Sequence, residues 1–89
     1  MSTKPTQGLS EMSEKELAVM GALAAADGQW LGIEHISSRI QAPRLLTEQT
    51  LERLLARELL LQSMNYIHGS SFRLSPLGRD YAIDQGYVK

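Results

Sequence analysis

The 89-residue sequence predicts a mainly helical α+β domain with a three-helix core, a β-hairpin and a C-terminal helix. Three observations predict this class. Apolar residues recur at helical spacing in three segments before residue 59, and the spacing then becomes that of two strands around a glycine-containing turn. A Ser-Pro step at residues 75–76 then marks a new helix directly after the second strand.

Composition indicates one small globular domain. Hydrophobic residues make up 43% of the sequence, and the absence of cysteine excludes disulfides and thiolate metal sites. We expect a disordered segment at residues 1–12, a domain at residues 13–86 and a tail at residues 87–89. The sequence shows no apolar region typical of a secretory signal or a membrane span, so a cytoplasmic location without membrane attachment is expected.

The arginines are concentrated in one part of the sequence. The net charge is −1, which does not favour non-specific binding to a polyanion. All six arginines lie within residues 30–79, which contain no lysine and carry a net charge of +2. Guanidinium groups bind phosphate and guanine, but they also bind carboxylates. The charge pattern alone therefore does not distinguish a nucleic acid from an acidic partner.

A capping box predicts the start of the first helix. Ser13 is followed three residues later by Glu16, just before an apolar run, and the helix is expected to end near Ala26. Residues 17–26 contain no polar side chain, and a helix that is apolar all round is buried on more than one side. Helical spacing predicts one inward face, made of Leu17, Met20, Gly21 and Ala24. The other side either packs within the domain or contacts a second copy or partner, through Val19, Ala22, Leu23 and Ala26.

Two further helices follow. Isoleucines at helical spacing predict a short second helix at residues 33–41, after a short strand at Trp30-Leu31. A third helix, residues 47–58, is expected to begin at Thr47 as N-cap, with acidic Glu48 in its first turn. Its inward face is predicted to hold Leu51, Leu54 and Leu55. Its outward face is predicted to hold Gln49, Thr50, Arg53 and Arg57, with Glu48 and Glu52 displaced from them.

The remaining sequence predicts a hairpin at residues 61–75 and a last helix. A three-residue loop would place four side chains on one face, namely Met64, Tyr66, Phe72 and Leu74. A four-residue loop would instead pair Ile67 with Phe72. Ser75 is the expected N-cap of the last helix, Pro76 its first residue and Gly86 its stop signal after Asp84.

Two motifs indicate a family. FRLSPLGRDYA, residues 72–82, is similar to the Tyr-x-Leu-Thr-x-x-Gly-Arg step with which many small bacterial regulators leave a β-hairpin wing. LERLLARELL, residues 51–60, followed by a strand, is a second match. On these motifs, residues 13–84 resemble the winged helix-turn-helix superfamily, especially regulators of the MarR and PadR types. The sequence departs from that pattern in the apolar QAPRLL linker and at Glu58-Leu59, where many relatives have glycine.

The resemblance implies a homodimeric transcriptional regulator that binds double-stranded DNA. Helix 47–58 would enter the major groove, hairpin 61–75 would be the wing, and helix 14–26 would supply the dimer contact. Base edges would then be contacted by Gln49, Thr50 and Arg53, because glutamine pairs with adenine and arginine with guanine. The residues expected to reach phosphates are Arg39, Arg44, Arg57, His68, Ser70, Ser71 and Arg73.

An alternative hypothesis is that the same fold binds a protein partner and not DNA. The mild net acidity, the glutamates among the arginines and the apolar first helix favour it. DNA binding predicts that the arginines converge on one open face, whereas protein binding predicts arginines neutralised by carboxylates. The sequence contains no phosphate-binding loop, nucleophile motif or His-x-x-x-His pattern. We therefore expect no enzyme activity, cofactor or metal.

Overall fold

The computed structural model describes residues 12–65 and 69–86. They form these elements: α1 (Glu14–Ala25), β1 (Leu31–Gly32), α2 (Ile33–Ile40), α3 (Arg44–Ala56), β2 (Leu60–Asn65), β3 (Gly69–Leu74) and α4 (Pro76–Asp84). The strands form one antiparallel sheet in the order β1-β3-β2. Helices α1, α2 and α3 pack against one another, and α4 contacts α1 and β3. The predicted class, three helices followed by a hairpin and a fourth helix, is confirmed.

The capping box at the start of α1 is present as predicted. The Ser13 hydroxyl accepts a hydrogen bond from the Glu16 amide at 3.2 Å, and the Glu16 carboxylate accepts one from the Ser13 amide at 2.7 Å. Two amides that have no partner within the helix are thereby satisfied. This reciprocal pair fixes the first residue of the helix.

The core side of α1 includes part of the predicted face, since Met20 is 0% exposed and Ala24 packs against the core, but it extends further round the helix. Val19 and Leu23, assigned to the partner side, are 0% and 2% exposed, whereas Leu17 and Gly21 are only half-buried. Ala22 and Ala26 pack against the same core. Of the two predicted alternatives for this side, packing within the domain is the one found for Val19 and Leu23, which are therefore not available for a dimer contact. A helix without polar side chains carries no pattern that fixes its rotation, so the packing against α2 and α3 decides it.

The connection between α2 and α3 is a tight turn of residues 41–43. Gln41 adopts a left-handed conformation with φ of 56°, and the Ala42 amide donates to the Ser37 carbonyl at 3.1 Å. Pro43 is the N-cap of α3, so the helix begins four residues earlier than the predicted start after Thr47. Thr47 is buried inside the helix, where its hydroxyl donates to the Pro43 carbonyl at 3.0 Å. Its predicted capping role is wrong, because Thr47 lies inside the helix and its hydroxyl bonds a carbonyl of the preceding turn instead of a first-turn amide.

The hairpin has the shorter of the two predicted loops. Asn65 pairs with Gly69, which leaves three residues between the strands, and Gln62 lies opposite Phe72. Leu31 of β1 also lies opposite Phe72, so the buried phenyl ring is at the centre of the sheet. Met64, Phe72 and Leu74 share a face, as the three-residue loop predicts. The predicted positions of Tyr66, Ile67 and His68 lie outside the described residues.

The end of α3 is closed by a Schellman motif. The Glu58 amide donates to the Leu55 carbonyl at 2.9 Å, and the Leu59 amide donates to the Leu54 carbonyl at 3.1 Å. Glu58 has φ of 62°, a conformation that glycine adopts most easily. The position where the sequence departs from its relatives is therefore the left-handed residue of this motif.

The wing base, defined here as residues 58–59 and 75–78, joins the end of α3 to the start of α4. The Ser75 hydroxyl donates to the Glu58 carbonyl at 2.7 Å and accepts from the Gly78 amide at 3.0 Å. A Cβ atom on Gly78 would lie 2.0 Å from the Leu59 carbonyl oxygen. Ser75 therefore caps α4 as predicted, and the glycine of the Ser-Pro-Leu-Gly step is required by a close backbone approach.

Candidate nucleic-acid interface

Helix α3 presents one continuous surface to solvent, here called the exposed face of α3. It contains five exposed residues, Leu45, Gln49, Glu52, Arg53 and Ala56. Their spacing of three and four residues keeps them on one side of the helix. Leu45 is 77% exposed, although leucine is usually buried. The opposite side packs into the core, so this surface is the part of α3 available to a partner.

The wing borders the exposed face of α3 on one side, and α1 borders it on the other. Glu52 lines an open depression together with Gln62 and Ser70 of the hairpin. Arg53 lines a second depression together with Ser13 at the start of α1. The face therefore has an acidic edge near the wing and a basic edge near α1.

Arg53 and Arg57 provide the free positive charge at the basic edge. Among the described residues, no carboxylate lies within ion-pair distance of either guanidinium group. Arg53 is exposed, whereas Arg57 is half-buried, and its Nη1 is buried without a hydrogen-bond partner in the described part of the chain. Glu16 lines the same depression, but its carboxylate is hydrogen-bonded to the Ser13 amide. Neither guanidinium group is therefore neutralised by a described carboxylate, and Arg53 is the one that is fully open to phosphate.

Arg44 is held by carboxylates. Its guanidinium group lies 3.2 Å from the Glu34 carboxylate and 3.3 Å from that of Glu48. The side chains of Arg44 and Glu34 are exposed and that of Glu48 is 39% exposed, so each pair contributes at most about 0.2–1 kcal/mol to stability. Only the Arg44–Glu34 pair joins the start of α2 to the start of α3, because the Arg44–Glu48 pair lies within α3. Arg44 thus links the two helices at the surface, a contact that the sequence did not indicate.

Arg73 lies apart from the other arginines. Its guanidinium carbon is 4.7 Å from the centre of the Trp30 ring, a cation–π distance. Its neighbour Phe72 is buried towards α3, so Arg73 lies on the other face of the sheet.

The DNA-binding hypothesis predicted that five arginines converge on one open face, and this prediction is wrong. Arg53 and Arg57 lie together, whereas Arg44 is neutralised and Arg73 faces elsewhere. Arg39 is exposed on α2 and has no ion pair with a described residue.

Thr50 is not available to a base. It is 4% exposed, and its hydroxyl donates to the Leu46 carbonyl at 2.8 Å. The predicted outward position is wrong because a threonine hydroxyl bonded within its own helix can pack in the core as a small apolar side chain. Gln49, the neighbouring candidate, is exposed as predicted. Glu52, predicted to lie to one side, is part of the exposed face.

Two wing residues proposed for phosphate contact are described. The Ser70 hydroxyl accepts a hydrogen bond from the Gln62 amide group at 3.1 Å and donates to the Met64 sulfur at 2.8 Å. Ser71 is half-buried. Ser70 therefore organises side chains across the hairpin, and Met64 extends 77% exposed from the same face. His68 lies outside the described residues.

Comparisons with known proteins identify the fold. No family model matches the sequence, and no curated protein is similar to it. A MarR family transcriptional regulator from Silicibacter pomeroyi matches with a TM-score of 0.74 and 16% identity, over 84% of this chain and 50% of that chain. The PcaV transcriptional regulator from Streptomyces coelicolor matches with a TM-score of 0.75 and 25% identity, over 86% of this chain and 57% of that chain. Staphylococcus aureus MepR, in a complex with DNA, matches with a TM-score of 0.74 and 16% identity, over 84% of this chain and 62% of that chain.

The fold is the winged helix-turn-helix fold of MarR-type regulators. In this fold, α2 and α3 are the helix-turn-helix pair, and β2 and β3 are the wing. The chain spans only about half to three-fifths of the length of the regulators that it matches, at 50%, 57% and 62%.

Two further features of the described residues bear on the site. No helix in residues 12–65 and 69–86 is long and apolar enough to cross a membrane. Within the same ranges, no group of three or more histidine, aspartate or glutamate side chains could hold a metal ion.

Proposed function

We propose that this chain is a DNA-binding transcriptional regulator that places α3 in the major groove and the β2–β3 wing beside it. The observation that carries the proposal is the exposed face of α3, bordered by the wing and by the unpaired Arg53 and Arg57. Two comparisons support this proposal: MepR, which has the same fold, forms a complex with DNA, and the transcriptional regulator PcaV is 25% identical in sequence to this chain. The similar structures are transcriptional regulators and not enzymes, which favours a role without catalysis.

Several polar side chains on and around this face have a role in the proposal. Gln49 pairs with adenine through its amide, and Arg53 contacts guanine or an adjacent phosphate. Arg57 and Arg39 contact phosphates and fix the position of the domain on the duplex. Ser70 faces the DNA backbone from the wing, whereas Ser71 lies on the opposite face of β3 with Arg73 and takes no part. Thr50 takes no part because it is buried.

The number of free arginines sets the expected salt dependence. Arg39, Arg53 and Arg57 would release counterions from about three phosphates for each copy of the chain. A fourfold rise in salt concentration would then weaken binding about 40-fold. This is a modest dependence for a DNA-binding protein, and it agrees with the net charge of −1.

A homodimer in the cytoplasm remains part of this proposal. One α3 helix covers a single half-site, and two copies related by a two-fold axis would bind a palindromic sequence. The Val19 and Leu23 side of α1 is buried within the chain and does not supply the contact.

The test is fluorescence anisotropy of the full chain with mixed-sequence duplex DNA at low and moderate salt. Arg53→Ala and Arg57→Ala are each expected to weaken binding about fivefold or more and to lower the salt slope by about one. Arg79→Ala is the matched control, because it removes one positive charge from the exposed surface of α4. That variant is expected to bind within about twofold of the parent. A parent protein that binds no duplex at low salt would contradict the proposal and favour the protein-binding alternative.

A further inference from the structure

Glu52 is an unneutralised carboxylate on the surface proposed to enter the groove. The neighbouring Glu48 is bonded to Arg44 at 3.3 Å, whereas no ion pair or hydrogen bond joins Glu52 to another described residue. Glu52 is also exposed and lies on the wing side of the face. If α3 bound only the phosphate backbone, a carboxylate at this position would weaken binding by repelling phosphate.

The chemistry of the major groove gives this carboxylate a specific partner. A carboxylate only accepts hydrogen bonds, so it requires a donor on the base edge. Guanine presents two acceptors and thymine one acceptor and a methyl group, so both exclude it. Adenine presents a donor beside the N7 acceptor, whereas the cytosine edge presents its N4 amino group without a neighbouring acceptor on the same base. Cytosine is therefore the base that a lone carboxylate favours.

We propose that Glu52 is a specificity-determining residue that accepts a hydrogen bond from the N4 amino group of a cytosine in the DNA site. This inference rests on the proposed function, because it assigns a base to a residue on the same face of α3. The carboxylate also repels sequences that lack a donor at this position. Glu52 thus raises the preference for cytosine over the other bases, while it lowers the affinity for DNA of mixed sequence.

The position of Gln49 predicts where the cytosine lies. Gln49 and Glu52 are separated by three residues of helix, which is about 4.5 Å along the axis. Successive base pairs are about 3.4 Å apart along the duplex. The cytosine should therefore lie one or two steps from the adenine that Gln49 contacts, within the same half-site.

The experiment begins with selection of binding sequences by the full chain from a duplex library with a randomised centre. The selected duplex and its single-base variants are then compared by anisotropy for the parent, Glu52→Ala and Glu52→Gln. The parent is expected to lose about fivefold to tenfold in affinity when the cytosine is replaced. Glu52→Ala is expected to bind all four bases at that position within about twofold and to bind mixed DNA more tightly than the parent. Glu52→Gln should shift the preference to adenine, because a glutamine amide matches the adenine N6 and N7 groups.

Asp84→Asn is the matched control, because it removes one negative charge from the end of α4. This variant is expected to keep the cytosine preference of the parent. Thermal unfolding of each variant checks that the fold is intact, which the exposure of Glu52 predicts. If the parent selects a motif and Glu52→Ala retains the same preference at every position, the inference is overturned and the proposed function stands. If the parent binds no duplex, the proposed function fails, and the role of Glu52 fails with it.

Discussion

The wing base follows the end of α3 directly and the exposed face lies along α3 itself, yet the two regions are held in different ways. At the wing base, the Ser75 hydroxyl bonds the Glu58 carbonyl at 2.7 Å, and a Cβ on Gly78 would overlap the Leu59 carbonyl. On the exposed face, Gln49 and Arg53 have no bonds to other described residues. The first region determines the fold and the second is free to bind. Substitutions should therefore separate into those that change the free energy of unfolding and those that change DNA affinity.

Gly78→Ala should have the largest effect, and it acts on the wing base alone. The added Cβ would lie 2.0 Å from the Leu59 carbonyl oxygen, so α4 or the turn must move. We expect a loss of about 3 kcal/mol or more in the free energy of unfolding, measured by urea denaturation.

Gly32→Ala is the matched control for Gly78→Ala. A Cβ there would meet no atom closer than the Ser70 carbonyl oxygen at 4.0 Å. A loss within about 1 kcal/mol is expected, since alanine is a poorer N-cap than glycine. Equal losses for both variants would show that the close approach at Gly78 does not limit stability.

Ser75→Ala should have the next largest effect. It removes the cap of the Gly78 amide and leaves the half-buried Glu58 carbonyl without its hydroxyl donor. We expect a loss of about 2 kcal/mol in the free energy of unfolding, measured by thermal denaturation. Ser13→Ala removes a cap at the distant start of α1 and is expected to cost about 1 kcal/mol. A Ser75→Ala loss no larger than that of Ser13→Ala would argue against a special role for the bond across the wing base.

The elements could be predicted from sequence because their signals are local. The Ser13–Glu16 capping box and the Ser75-Pro76 step each define a helix start within a few residues, and the structure confirms both. The start of α3 was mistaken because Thr47 resembles a cap, while the actual N-cap, Pro43, supplies no side-chain hydrogen bond. The two motifs that succeeded have a serine hydroxyl that accepts a hydrogen bond from an amide of the first helical turn, whereas the Thr47 hydroxyl donates to a carbonyl within its helix.

The candidate site was predicted less completely, because exposure depends on how each helix is rotated. Residues 17–26 of α1 are uniformly apolar, so periodicity did not show that Val19 and Leu23 face the core. Thr50 has a polar side chain but is buried, because its hydroxyl donates a hydrogen bond to the Leu46 carbonyl within the same helix. Arg44 and Glu34 lie on different helices and are ten residues apart in the sequence, so no local pattern indicates that they pair.

Gln49→Ala tests the exposed face of α3. Its side chain is exposed and bonded to no described residue, so the free energy of unfolding should stay within about 0.5 kcal/mol of the parent. Discrimination in favour of adenine at one position should fall by about 1 kcal/mol, measured by anisotropy with single-base variants of a selected duplex. A large change in stability with unchanged discrimination would reverse the proposed separation between the two regions.

Glu58→Gly should have the smallest effect, and it should stabilise the wing base. Glu58 has φ of 62°, which costs an ordinary residue roughly 1–2 kcal/mol, and its exposed carboxylate bonds no described residue. Glycine removes that strain, while the greater freedom of the unfolded chain offsets about 0.5–1 kcal/mol of the gain. A net stabilisation of about 0.5–1 kcal/mol is expected from urea denaturation. Gln85→Gly is the control, because Gln85 ends α4 with φ of −88° and has no such strain to relieve. It should lose stability, so a gain of equal size in both variants would show that the left-handed conformation of Glu58 is not the cause.

The same variant also tests how far the binding surface extends. If the charge of Glu58 lies too far from the duplex to act on it, the parent and Glu58→Gly should bind DNA with equal affinity at equal salt. A rise in affinity would place the end of α3 within a Debye length of a phosphate, about 8 Å at physiological salt, and would extend the binding surface from the exposed face to the wing base.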